Sequence, residues 1–303
     1  MIAALLAATA GHAQTTLWDG ESLELGSQGG CWDDGHPTVV ENPSKTGINT
    51  SGKCLMFTMT NGSKIVKIPF RDWIQPNMDG SRRISLMIRK AVNDNVNIEV
   101  SDPTNGAAGY WEKVAAWYGA EGEWQKVVFD LSTNVNLNDF PGVISITAQT
   151  GAVDGEQVVY IDNVVIEPAA KVGGVRLSEV ADNSLSGNVV VAGALMKGDC
   201  QNTNGDWFRV DYDDFALLAS KLSASATSLD LRNVILKDAY FDSILEKCPG
   251  ITIYTDGGTV TAIQSVPTAS PADAPVYSIS GTRVADPTRK GLYISNGRKY
   301  IVR

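Results

Sequence analysis

The chain has 303 residues, a formal net charge of −9 and 43% hydrophobic residues, enough for a substantial core shared between two or three domains. Lysines and arginines are scattered singly, apart from short pairs such as Arg82 with Arg83 and Arg289 with Lys290. No basic stripe is available to meet a phosphate backbone, which excludes nucleic acid as a partner.

Residues 1–13, MIAALLAATAGHA, form an apolar run ending in small residues, with a signal-peptidase site before Gln14. The run lacks a basic start but reads as a signal peptide, so the expected location is secreted or cell surface. No other run approaches the roughly 20 apolar residues of a membrane helix, so no membrane insertion is expected. No Cys follows the cleavage point, which argues against a lipoprotein anchor. Residues 15–168 are β-rich, with candidate strands at 23–26, 54–60, 64–69, 83–90, 96–101, 125–131, 143–149 and 158–167, punctuated by NG, DG and PG turns. Short strands at such spacing predict a mainly β fold, an antiparallel jelly-roll sandwich.

Three of the seven tryptophans lie in 110–131, YWEKVAAWYGAEGEWQKVVFDL. From Trp124 onward the period of two predicts a strand with Trp124 in the core. Trp111, Trp117 and Tyr118 fall among Gly109, Gly119 and Gly122, and are read as an exposed aromatic rim able to stack on flat apolar ligand faces such as sugar rings. In GGCWDDGHP, Trp32 adds a further plate, with Asp33 and Asp34 as acceptors for hydroxyls. Trp18 and Trp73, beside apolar runs, are assigned to packing.

The segments ENPSKTGINTSGKCLMF (41–57), WQKVVFDLS (124–132) and YIDNVVIEP (160–168) together resemble the galactose-binding-like jelly-roll modules attached to secreted glycan-degrading enzymes of gut-type Gram-negative bacteria. The resemblance covers about half the chain. It implies a carbohydrate-binding sandwich, with a structural Ca2+ between the first and last strands. Its metal ligands would be Asp162 in the closing strand and, near the first, Asp19 or Glu21. The opening WDGESLELG departs from the family pattern, so both of those early acids stay candidates.

Residues 169–174 turn small and Gly-containing and read as a linker. From 175 to 263 the pattern changes to strands alternating with helices: GNVVVAGAL, YDDFALLASKL, SLDLRNV, KDAYFDSILEKC and ITIYT. This predicts a small α/β unit with parallel pairing through crossovers. Leu229, Leu231 and Val234 resemble one turn of a leucine-rich repeat, and with about two turns the unit is a short, capped version able to contact a protein partner. NTNGDWFRVDYDDF fits a calcium loop poorly, because Trp207 stands where the sharp-turn glycine belongs; Asp213 and Asp214 read instead as first-turn acids of a helix. Residues 264–275 form a Pro-, Ala- and Ser-rich linker. The final 276–303, VYSISGTRVADPTRKGLYISNGRKYIVR, read as three short strands and resemble the C-terminal sorting tails of exported proteins in the same bacteria.

The four cysteines divide two and two, and both bridging (Cys31 with Cys54, Cys200 with Cys248) and burial as free thiols are open. No catalytic residue is assigned. His36 is the one histidine beyond the leader, and no nucleophile-elbow, phosphate-loop or zinc-protease motif occurs. The expectation is a non-catalytic binder of polysaccharide or oligosaccharide. The alternatives are a structural or adhesive surface protein and a glycoside hydrolase or lyase working through two carboxylates.

Overall fold

The computed structural model describes residues 14–21, 37–60, 64–68, 83–101, 111–131, 143–148, 156–202, 208–261, 276–278, 283–284, 291–295 and 298–302. Among the described residues, the first part of the chain has ten strands: β1 (Thr15–Trp18), β2 (Thr38–Glu41), β3 (Lys53–Thr60), β4 (Lys64–Ile68), β5 (Arg83–Lys90), β6 (Asp94–Ser101), β7 (Trp111–Tyr118), β8 (Gln125–Asp130), β9 (Val143–Ala148) and β10 (Glu156–Ile166). They make two sheets, β2-β3-β10-β5-β8 with β1 also beside β10, and β7-β6-β9-β4, antiparallel throughout. Between β3 and β10 the chain crosses back and forth between the sheets, so each strand needs one apolar face.

The sequence supplies that face. In β5, Ile84, Leu86 and Ile88 point inward; in β7, Val114, Ala116 and Tyr118 do; in β10, Val159 and Ile161 do, and all join one buried cluster with Phe57, Val96, Ile98, Phe129 and Ile146. Each fully buried aliphatic or aromatic side chain there contributes roughly 1.5–3 kcal/mol. The fold is thus a mainly β, two-sheet sandwich. β1, β2 and β7 were not expected as strands, and the strand expected at 23–26 lies outside the described residues.

Among the described residues, nine strands and two α-helices follow: β11 (Lys171–Val172), β12 (Val175–Arg176), β13 (Leu185–Ala192), β14 (Ala194–Asn202), β15 (Phe208–Asp213), α1 (Asp214–Lys221), β16 (Leu222–Asp230), β17 (Ile235–Lys237), α2 (Asp242–Lys247), β18 (Thr252–Thr255) and β19 (Gly258–Thr261). β13, β16 and β18 pair in parallel, as the strand–helix alternation predicts. Phe215, Leu218 and Ala219 of α1 recur at helical spacing and pack on Val189, Val191, Leu229 and Ile253. Asp213 caps α1 by accepting from the Ala216 amide at 2.9 Å.

Residues 169–174 differ from the linker expectation. Gly173 and Gly174 both have positive φ, which is what a two-residue hairpin turn demands, and they join β11 to β12. The stretch GNVVVAGAL is also two strands. Gly193 ends the first with φ +91°, and a Cβ there would lie 2.0 Å from the Ala169 carbonyl oxygen. The freed strand, β14, pairs with β15 and with β7, extending the second sheet to β15-β14-β7-β6-β9-β4 with β17 beside β14. Cys200 of β14 enters the sandwich core. Residues up to Thr261 therefore form one compact unit. Cys54, Cys200 and Cys248 are buried free thiols, the second of the two readings left open.

The second unit begins at Ala262 and contains β20 (Val276–Ser278), β21 (Arg283–Val284), β22 (Gly291–Ser295) and β23 (Arg298–Val302). These pair antiparallel in the order β21-β20-β22-β23, four strands where three were expected.

Candidate functional site

Inward alternation on β6, β7, β14 and β15 fixes what their other face carries. Asn95 pairs with Trp117, while Ala115 lies between Asn97 and Gln201, and Gln201 pairs with Arg209. Asn97 and Ala115 are buried at 3% and 2% exposure, so the accessible side chains here are half-buried Asn95 and exposed Gln201 and Arg209, beside a tryptophan that is 58% exposed. Trp117 stands on a rigid base. Its carbonyl accepts from Gln125 Nε2 at 3.0 Å, and Gln125 Oε1 accepts from the Gly119 amide at 2.8 Å, so one side chain clamps the backbone on both sides of Tyr118. A Cβ on Gly119 would lie 3.0 Å from Trp117 Nε1, so glycine makes room for the ring.

Toward β15 the face becomes charged. Asp199 and Asp211 pair across the strands, and Arg209 bridges them, its Nε 2.7 Å from Asp211 Oδ1 and its Nη2 on Asp199. The bond to Asp211 and the charge of Asp199 raise the Arg209 pKa above its ordinary value. Next to them, Lys197 Nζ lies 3.2 Å from Asp213 Oδ2 and 4.0 Å from the Tyr240 ring centre, and Tyr240 donates to Asp213 at 2.6 Å. Partial burial pushes Asp213 up, but the bonds from Tyr240, the Ala216 amide and Lys197 hold it below the usual carboxylate range. A depression of about 520 Å³ runs along these residues. Two facing carboxylates are the minimum for glycoside hydrolysis, which needs one as a proton donor. Here Arg209 occupies both.

The expected site residues are dispersed. Trp117 is exposed on the face just described. Tyr118 is a correction: it is 0% exposed, since alternation along β7 turns it into the core, where its hydroxyl donates toward the Lys90 and Glu123 carbonyls, each at 2.8 Å. Trp111 is the first residue of β7, with its side chain outside the described residues; Trp32, Asp33, Asp34 and His36 also lie outside them. Trp124 is buried, as expected, its Nε1 donating to Asn42 Oδ1 at 3.1 Å and to the Ser44 carbonyl at 3.0 Å. Sequence reading missed Asn95, Asp199, Gln201, Arg209 and Asp211. The alternation of KGDCQN and FRVDYD, with Cys200, Val210 and Tyr212 as the apolar phase, was the signal that could have found the last four.

The carboxylates expected to hold a metal lie at the other sheet. A register shift after Asp162 and a positive φ at Asn163 break the regularity of β10 there. Asp162, fully buried, accepts from Asn49 Nδ2 at 3.0 Å, from Ser51 Oγ and from the Asn163 amide at 2.8 Å. Burial raises its pKa, the charge of Glu21 adds to that, and the three hydrogen bonds oppose it. Glu21 Oε1 accepts from the Lys53 amide at 2.7 Å, and Asp19 Oδ1 from the Glu21 amide at 3.0 Å. Among the described residues no group of three or more His, Cys, Asp or Glu is close enough to hold a metal. The donors present are oxygen alone, the class a hard cation takes, and a cation would relieve the repulsion between Glu21 and Asp162. Amide and carbonyl oxygens would have to complete its shell.

No family model and no curated protein matches the chain. Solved structures similar to part of it include a family 11 carbohydrate-binding module of the cellulosomal cellulase Lic26A-Cel5E from Clostridium thermocellum, 14% identical over 51% of this chain and 94% of that one, at a TM-score of 0.33. A structure from work on carbohydrate-binding modules of the β-sandwich superfamily is 16% identical over 49% and 60%, at 0.35. An exo-β-agarase is 16% identical over 51% and 25%, at 0.37. Likeness this distant leaves function to be argued from the chain's own residues.

Proposed function

We propose that this protein is an exported, non-catalytic carbohydrate-binding protein whose ligand lies on the outer face of the seven-stranded sheet. The observation that carries the reading is Trp117, exposed on a strand held rigid by Gln125 and paired with Asn95. A sugar ring offers an apolar C–H face to such a plate and hydroxyls to Asn95, Gln201 and the Asp199–Arg209–Asp211 group. Rigid side chains keep the entropy cost of binding low. Export through the leader, the galactose-binding-like jelly-roll ancestry, a leucine-rich-repeat-like character for β13 to β18 and a sorting role for the C-terminal sheet belong to the same proposal. So does a protein partner for the middle of the chain.

A glycan array probed with the full chain and with Trp117→Ala tests the reading. Truncation of a central stacking residue is expected to weaken binding by about 2 kcal/mol, roughly thirtyfold. An array on which no glycan is retained by the parent would remove the proposal.

A structural Ca2+ held by Asp162, by Glu21 or Asp19, and by neighbouring backbone and amide oxygens is part of this reading. Its contribution would be charge neutralisation and the tying of the segment before β3 to β10. Chelation should lower the melting temperature, and calcium at a hundredfold excess over its dissociation constant should restore about 2.7 kcal/mol. Superimposable melts with and without chelator would dispose of the metal.

A further inference from the structure

The parallel strands β13, β16 and β18 place Val189, Val191, Leu229 and Ile253 against the helices. Period two then sends Asn188, Val190, Ser228, Asp230, Thr252 and Tyr254 to the opposite face. Register makes them two rows: Asn188 beside Ser228 beside Thr252, and Val190 beside Asp230 beside Tyr254. Parallel sheets normally carry cover on both faces, yet among the described residues nothing lies over this one. These residues line an open depression of about 640 Å³, within the range of small-molecule sites.

Its polar groups are held in place before any ligand arrives. Asn188 Oδ1 accepts from Ser228 Oγ at 2.8 Å and from Thr227 Oγ1 at 3.2 Å, so the amide NH2 is the part left to donate outward. Asp230 accepts from the backbone amide of Arg232 at 3.0 Å and from its Nε and Nη2 at 2.9 and 2.5 Å. The guanidinium fixed in this way lies 5.6 Å from the centre of the Tyr254 ring, which is 38% exposed. Pre-set donors, acceptors and an aromatic plate spare a ligand the cost of ordering them.

Size and charge select the ligand. The depression lies over three of the sheet's six strands, and at about 4.8 Å spacing, with two rows about 7 Å apart, its floor is a patch roughly 10 Å by 7 Å. A stable protein interface needs about 800 Å² from each partner, an order of magnitude more. The patch matches one or two sugar rings instead. Asp230 and Arg232 cancel within it, so nothing selects an anion or a cation. We infer that this open sheet face is a second saccharide site, taking one or two neutral pyranose units with a ring on Tyr254 and hydroxyls on Asn188, Ser228 and Asp230. The inference stands on a different sheet from Trp117 and does not need that site to work.

The test uses the full chain, with Trp117→Ala as the background that removes stacking on the other face. Neutral gluco-, xylo-, manno- and galacto-configured tetrasaccharides, a galacturonic acid tetrasaccharide and a polar decapeptide are titrated calorimetrically. The expected result is binding of at least one neutral tetrasaccharide to Trp117→Ala, weakened about thirtyfold by adding Tyr254→Ala and about tenfold by adding Asn188→Ala, with thermal melts unchanged. Tyr254 and Asn188 are exposed, and if one variant melts early the other decides. The inference is overturned if no neutral tetrasaccharide binds the Trp117→Ala background, if both added changes leave binding intact, or if only the acidic sugar or the peptide binds. Weaker binding of a tetrasaccharide by Trp117→Ala than by the parent, with the remainder still sensitive to Tyr254→Ala and Asn188→Ala, reports the first site separately.

Discussion

Arg83→Ala should destabilise the first unit by about 3–5 kcal/mol, the cost of breaking a buried ion pair from one side. The side chain of Arg83 is 15% exposed, and it reaches Asp130 of β8 through Nε at 2.7 Å and Asp214 of α1 through Nη1 and Nη2 at 2.5 and 3.1 Å. Its guanidinium also lies 4.6 Å from the Tyr212 ring centre. Removing it leaves two buried carboxylates near one another. Asp214 accepts from the Met196 amide at 2.8 Å as well, so the setting of β14 depends on the same group. Lysine cannot reproduce the planar fork, and Arg83→Lys should recover only part of the loss. Denaturant melts of both variants check this; a cost below about 1 kcal/mol for Arg83→Ala would show that the joint between sandwich and α/β part is held elsewhere.

A loss of similar size, about 3–5 kcal/mol, is expected for Tyr118→Ala, since a buried aromatic ring is deleted from a packed core. The hydroxyl adds a separate part. It meets the Lys90 and Glu123 carbonyls and accepts from the Gly122 amide at 3.1 Å, which ties β5 and β7 to the tight turn at Glu121 and Gly122. Tyr118→Phe keeps the ring and should cost about 1–3 kcal/mol for the unsatisfied groups left behind. Chemical denaturation of the pair separates the two parts. If Tyr118→Ala melted like the parent, the ring would not be core.

Tyr118 also shows where the sequence could be read and where it misled. Regular alternation made β5, β8 and β10 legible, because Ile84, Leu86 and Ile88 or Val127 and Phe129 advertise one buried face. In β7 two alanines and three large aromatics blur that contrast, and nearby glycines suggested an irregular rim. Trp117 faces out, and its neighbour faces in for no reason beyond the pleat. The parallel pairing of β13, β16 and β18 was legible from the change of period. The joining of β14 to β7 was not, since it depends on a bond between Gln201 and Ala115 partners far apart in sequence and on Gly193 closing against Ala169. For the same reason the polar groups near Trp117 were invisible: Asn95, Gln201 and Arg209 come from three strands and are brought onto one sheet face only through register.

The claim that the seven-stranded sheet binds sugar is tested most directly by titrating the parent and Trp117→Ala with whichever neutral oligosaccharide the array retains most strongly, following binding and thermal stability on the same samples. A loss of roughly thirtyfold in affinity with an unchanged melt is the predicted result, because the ring is exposed and its base is built by Gln125. Equal affinity for the two proteins would contradict it.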